Sequence, residues 1–145
     1  VDIAVLELHA PNLPAHLAVR AFEPRHLATA LDGVEVGQSL RVTGFPLGFY
    51  DTVHHLPVVR HAIVASSFGV RFQGLGYFLT DGRMHRGSSG APVVMRCEQL
   101  GAELPWRLLG VHSSRMDMGN RDRVQDDMLG LNCAWYADML MALTR

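Results

Sequence analysis

The sequence predicts an all-β fold: a six-stranded antiparallel barrel closed by a C-terminal helix. Three observations predict it. From Gln38 onward, six short runs rich in Val, Leu, Ile and Phe are separated by Gly-, Asp- or Asn-containing turns. Six such strands suit a small closed barrel, which leaves no free edges. After the last run, Tyr136, Met139, Leu140 and Leu143 fall at i, i+3, i+4, i+7 spacing, the signature of one apolar helix face.

Taken in order, residues 2–8 (Asp-Ile-Ala-Val-Leu-Glu-Leu) alternate partly and read as a strand whose edge is open. Residues 9–38 carry Pro11, Pro14 and Pro24 and read as a connector, with a helical turn expected over Leu27–Leu31 before Asp32-Gly33. The strand candidates are Ser39–Phe45, Pro57–Ser66, Gly76–Asp81, Ala91–Met95, Arg107–Ser114 and Met128–Ala134. The helix is expected over Tyr136–Leu143. The division that follows is a leading piece, 1–38, and a barrel with its helix, 39–145.

Composition narrows the function classes. The chain has 145 residues, 48% hydrophobic and 19% charged, enough to bury one full core. A net charge of −1 argues against a nucleic-acid-binding surface. All thirteen basic residues are arginine, as expected from a GC-rich coding sequence. No apolar run approaches the ~18 residues of a transmembrane helix. Cys97 and Cys133 are either a disulfide or two buried thiols, and neither sits in a Cys-x-x-Cys pair. His54, His55 and His61 have spacing open to zinc but no matching fourth ligand, so neither metal nor cofactor is expected. Gly74-Leu75-Gly76 lacks the rest of a nucleotide-loop fingerprint.

The chemistry-bearing segment is Thr80-Asp81-Gly82-Arg83-Met84-His85-Arg86-Gly87-Ser88-Ser89-Gly90-Ala91-Pro92. It sets a serine in a tight glycine-rich turn between two apolar strands. Such a turn can expose a hydroxyl and aim the adjacent backbone N–H groups at one point, which is what acyl transfer requires. An ordinary surface turn has the same composition. A Gly-x-Ser-x-Gly elbow is excluded, because the fifth position is Ala91.

Four segments together resemble the trypsin-like (chymotrypsin-fold) serine peptidases, in particular the bacterial HtrA-like and glutamyl-endopeptidase branches. They are Asp2-Ile3-Ala4-Val5-Leu6, Gly44-Phe45-Pro46-Leu47-Gly48, Gly87-Ser88-Ser89-Gly90-Ala91-Pro92 and Gly110-Val111-His112-Ser113. The resemblance implies a Greek-key barrel, the second of two, with residues 2–8 a remnant strand of the first. It implies a serine endopeptidase with Ser89 as nucleophile and Asp2 as the carboxylate that orients the catalytic histidine. Gly87 and Ser89 would supply the oxyanion N–H groups. Ser113 would bond the Asp2 carboxylate. The family's histidine precedes its aspartate, so it is expected upstream of Val1, on an N-terminal barrel of the same protein. None of the eight histidines here matches it. A chain without that base is expected to be inactive or nearly so. The family favours a periplasmic or secreted protein.

In the resemblance, His112 and Arg83 line the pocket before the scissile bond, with Ser113 and Ser114 on the pocket strand. An imidazole and a guanidinium there would favour an acidic substrate side chain through charge-assisted hydrogen bonds. Otherwise His112 is a satisfied barrel histidine and Arg83 faces solvent. Ser88 competes with Ser89; the spacing to Pro92 selects Ser89. The loops Phe49–Leu56 and Arg115–Asp127 are either solvated or substrate-contacting. Ser88 and Ala91 stand where the family has Asn and Gly, which leaves open a rival class: a non-catalytic barrel that binds peptides or proteins. In either case the partner is a polypeptide, with no nucleic acid and no membrane span.

Overall fold

A computed structural model describes residues 2–8, 14, 16, 19–29, 32–100, 103–117, 124 and 129–144. Six strands form a closed antiparallel barrel: β1 Ser39–Gly44, β2 Val58–Val64, β3 Tyr77–Asp81, β4 Pro92–Arg96, β5 Trp106–Arg115 and β6 Leu131–Tyr136. Around the barrel the order is β1-β2-β3-β6-β5-β4. The connection from β3 to β4 therefore crosses to the far side of β1, and the serine turn lies within that crossing. One short helix, α1 Asp138–Leu143, follows β6.

The barrel interior is filled from every strand. Leu40 and Val42 of β1, Val64 of β2, Phe78 of β3, Val93 of β4 and Leu109 of β5 are all 0–2% exposed. Burying a side chain of this size stabilises the fold by about 1.5–3 kcal/mol. Phe68, Phe78 and Tyr136 meet at ring-centroid separations of 4.9–5.1 Å, and the Tyr136 hydroxyl donates to the Phe68 carbonyl at 2.8 Å. Gly110 lets β5 close on β6: a Cβ there would lie 2.1 Å from the Trp135 carbonyl oxygen.

The outer faces are also partly covered. Leu79 and Cys133 pack under Met116. Val94 and Leu108 pack under Phe22, Leu27, Trp106, Ala137 and Leu140. This double coverage explains why β3, β4 and β6 read as continuous apolar runs rather than alternating ones. Both cysteines are free thiols, and burial pushes the Cys133 thiol pKa up.

The connector ahead of β1 is tied to the barrel. Ala28 N donates to Leu108 O at 2.8 Å, Leu27 bridges to Leu108, and Asp32 pairs with Arg107. The helical turn expected at Leu27–Leu31 lies earlier, as a 3-10 turn at Pro24–His26. Pro24 fixes the first helical φ, and the Glu23 N–H donates to His26 Nδ1 at 2.9 Å. Residues 30 and 31 lie outside the described residues.

Three other expectations shift. Residues 2–8 join no ladder among the described residues, against the strand expected there. A ladder needs a partner strand, and the partners expected for this segment belong to a preceding barrel. β6 begins at Leu131, after Gly130 at φ 70°, and runs two residues past Ala134; Met128 lies outside the described residues. The helix therefore starts at Asp138, and Tyr136 is a barrel residue rather than a helix-face one.

Candidate functional site

The serine turn is built from two consecutive tight turns that share Ser88. Ser88 N donates to His85 O at 3.1 Å, and Ala91 N donates to Ser88 O at 3.0 Å. In each turn the third residue is a glycine at φ 86°, Gly87 and then Gly90, while the second residue is not at positive φ. That is type II geometry, which requires glycine at the third position. Gly87 is also fixed by space: a Cβ there would stand 2.5 Å from Phe45 O and 3.1 Å from Leu47 N. Leu47 N donates to Arg86 O at 2.6 Å, so the 3-10 turn Pro46–Gly48 clamps the serine turn from one side.

This geometry separates the two serines. Ser88 is 2% exposed, whereas Ser89 is an exposed side chain. The Ser89 hydroxyl donates to the Ser113 carbonyl at 2.6 Å. Among the described residues, the amides of Gly87 and Ser89 donate to no backbone acceptor, while that of Ser88 is used within the turn.

β5 forms the wall beside the turn. Gly90 N donates to His112 O at 2.8 Å and His112 N to Ala91 O at 2.9 Å, which stitches the turn's exit to β5. A bulge leaves Ser113 unpaired between His112, opposite Ala134, and Ser114, opposite Cys133. Bulges re-aim backbone groups, and here the Ser113 carbonyl meets Ser89. Beyond the bulge, Ser114 and Arg115 have ladder partners on β6, and the ladder with β4 stops at Val111 among the described residues.

Two clefts flank Ser89, and both also include His112 and Ser113. One, about 690 Å³, runs between Leu47, His85 and Ser89 on one side and Ser114, Arg115 and Met116 on the other. The second, about 580 Å³, lies between Ser89 and the leading segment and includes Asp2, Ile3 and Ala4, with Trp135 and Leu140. Asp2, which carries an exposed carboxylate, thus shares a cleft with Ser89 and Ser113. No hydrogen bond joins Asp2 to either of them among the described residues.

His112 is 3% exposed, and its Nδ1 has no hydrogen-bond partner among the described residues. Burial lowers its pKa to about 4, so the imidazole is neutral at physiological pH. It lines both clefts yet bonds to neither Ser89 nor Asp2. A base that weak and unaligned is poorly suited to deprotonate a serine.

Arg83 is exposed and lies in a neighbouring cleft of about 400 Å³ with Asp81, Asn132 and Arg115. Met84, His85 and Arg115 wall both this cleft and the larger Ser89 cleft. Arg83 itself is not among the residues that line the clefts shared by Ser89, His112, Ser113 and Asp2.

Two of the other histidines have local partners. His54 Nδ1 bonds Asp51 at 2.7 Å, and His61 Nε2 is 3.2 Å from the Ser39 hydroxyl. Among the described residues, no group of three or more His, Cys, Asp or Glu side chains converges to hold a metal. No helix among the described residues is long and apolar enough to cross a membrane. Much of the loop Arg115–Asp127 lies outside the described residues. Two features of the site carry no sequence signal: the bulge at Ser113, and the clamp from Leu47 to Arg86. Both are main-chain contacts between distant segments.

No protein-family model and no curated protein matches the sequence.

Proposed function

We propose that this chain is the second barrel of a trypsin-like serine endopeptidase. The strand order, in which β3 neighbours β6 rather than β4, supports a Greek-key reading of the chymotrypsin type. Ser89 is the nucleophile, Asp2 the orienting carboxylate, and the general base is a histidine carried outside these 145 residues, on a preceding barrel. Its imidazole would occupy the cleft that Asp2 and Ser89 share. The Ser89 hydroxyl attacks the peptide carbonyl as its proton passes to that imidazole. The imidazole then returns the proton to the leaving amine. Water repeats the sequence on the acyl-enzyme and releases the acid. The amides of Gly87 and Ser89 hold the oxyanion, each donor typically contributing about 10²–10³ in rate.

The observation that carries this reading is the contrast within the turn: Ser89 exposed between two clefts, Ser88 buried, and the two amides around Ser88 left without backbone acceptors. The acyl side of the substrate would lie along Ser113–Arg115, with its side chain toward Ser114 and the neutral imidazole of His112. His112, which lines both Ser89 clefts, supports recognition of a polar side chain, Glu above Leu, with Arg83 acting from the adjoining cleft.

A second reading has its own support. The Ser89 hydroxyl donates to a carbonyl that cannot take its proton, and that geometry suits a barrel that binds peptides without cutting them. Labelling by a fluorophosphonate separates the two. Protein that includes the segment preceding Val1 should label at Ser89. Failure to label with that segment's histidine present would leave the binding module standing.

A further inference from the structure

Between β1 and β2 lies a segment that presents apolar side chains outward. Phe45, Leu47, Phe49, Val53 and Leu56 are 45%, 71%, 68%, 76% and 57% exposed. Single exposed apolar residues are common on protein surfaces. Five within twelve positions of a pinned segment are not a chance scatter, and clustered apolar exposure marks interaction sites.

The pinning is extensive. Leu47 N is held by Arg86 O at 2.6 Å, and Gly48 N and Phe49 N close the 3-10 turn onto Phe45 O and Pro46 O, each at 2.9 Å. Further out, Asp51 N donates to Leu56 O at 3.0 Å. The Asp51 carboxylate accepts from Val53 N, His54 N and His54 Nδ1 at 2.9, 3.2 and 2.7 Å. Tyr50 stacks on His55 and meets Phe45 edge-on, both with centroids 6.0 Å apart. Order established before binding lowers the entropic cost of engaging a partner.

The position of the segment identifies the partner. Leu47 belongs both to this apolar face and to the larger Ser89 cleft. A peptide crossing Ser89 has one side along β5. Its other side leaves over Gly87, against which the main chain of Phe45 and Leu47 lies. We propose that Leu47, Phe45 and Phe49 form a specificity surface for an apolar side chain of a polypeptide, on the leaving-group side of the scissile bond. The proposal rests on the peptidase reading above and adds a substrate preference to it.

The test is a titration of the isotope-labelled 145-residue chain with two uncleavable reduced-amide peptides, followed by backbone amide NMR. The peptides are identical up to the isostere and carry Leu or Asp immediately after it. The Leu peptide should shift the amides of Leu47–Phe49 and of Ser113–Arg115, and bind about 10-fold tighter than the Asp peptide. Phe49→Asp should erase that difference. Val70→Asp, at a position 68% exposed outside the segment, should preserve it.

Equal affinities, with shifts confined to Ser113–Arg115, would overturn the specificity surface and leave peptide binding in place. Shifts at neither site would overturn both. Self-association that Phe49→Asp abolishes, with peptide affinities unchanged by that substitution, would reassign the face to a second copy of this chain and overturn the proposal.

Discussion

The Ser89 hydroxyl donates to the main-chain carbonyl of Ser113 at 2.6 Å. Ser113 can offer that carbonyl because the bulge in β5 removes it from the ladder with β6. A carbonyl acceptor orients the hydroxyl but cannot accept its proton. The nucleophilicity of Ser89 therefore depends on a base that competes with Ser113, and the following outcomes are expected.

Ser89→Ala should abolish fluorophosphonate labelling of protein that carries the preceding segment. Ser88→Ala should leave labelling within about 10-fold, because the Ser88 side chain is buried behind the turn. Mass spectrometry of the labelled peptide identifies the serine. Labelling that survives in Ser89→Ala but is lost in Ser88→Ala would assign the nucleophile to the wrong side of the turn.

Gly87→Ala should both destabilise the fold and eliminate labelling. The residue sits at φ 86°, and an added Cβ would meet Phe45 O at 2.5 Å. The expected loss is about 2–3 kcal/mol, combining an unfavourable backbone region with a main-chain collision. Urea unfolding measures it, and an unchanged midpoint would refute the clamp between Phe45–Gly48 and the turn.

His112 should make stability fall as pH falls. Its folded pKa is lowered to about 4 by burial, against an ordinary value near 6.5. Between these values the unfolded chain binds the extra proton, so stability rises with pH across that window. The cost by pH 4 is up to about 3 kcal/mol. His112→Gln should flatten the slope between pH 6.5 and 4 in a urea-midpoint series. An unaltered slope would place the titrating group elsewhere.

Asp32 should act at lower pH. Burial raises its pKa, but hydrogen bonds from the Thr29 amide and hydroxyl and the Arg107 guanidinium outweigh this and hold it below the ordinary carboxylate value. A depressed folded pKa contributes stability that is present above the unfolded pKa, about 4, and lost as pH falls through the folded one. Asp32→Asn should cost about 2 kcal/mol at pH 7, the worth of hydrogen bonds to a charged group. That deficit should shrink below about pH 4. A deficit that persists unchanged in acid would show that packing, rather than charge, holds the connector to β5.

Residue patterns alone gave the six strand positions to within a few residues, because β-rich runs bounded by Gly, Asp and Asn have few other solutions. They also gave the turn at Ser89, since Gly87 and Gly90 stand where type II turns demand positive φ. Residues 2–8 read as an open-edged strand, and they join no ladder among the described residues, because pairing belongs to the neighbour and not to the segment. Tyr136 looked like a helix-face residue because helical and strand periodicities overlap at the end of a strand.

Tertiary structure decided what no local pattern carries. It buried Ser88 and exposed Ser89, two adjacent and chemically identical side chains. It set Asp2 on the same cleft as Ser89, and put Arg83 in the adjoining one. It made His112 neutral by removing water from its ring. The physical reason is common to all four. Backbone preference acts within a few residues, whereas exposure, cleft membership and pKa depend on which distant strands close around a side chain, and barrel closure fixes that.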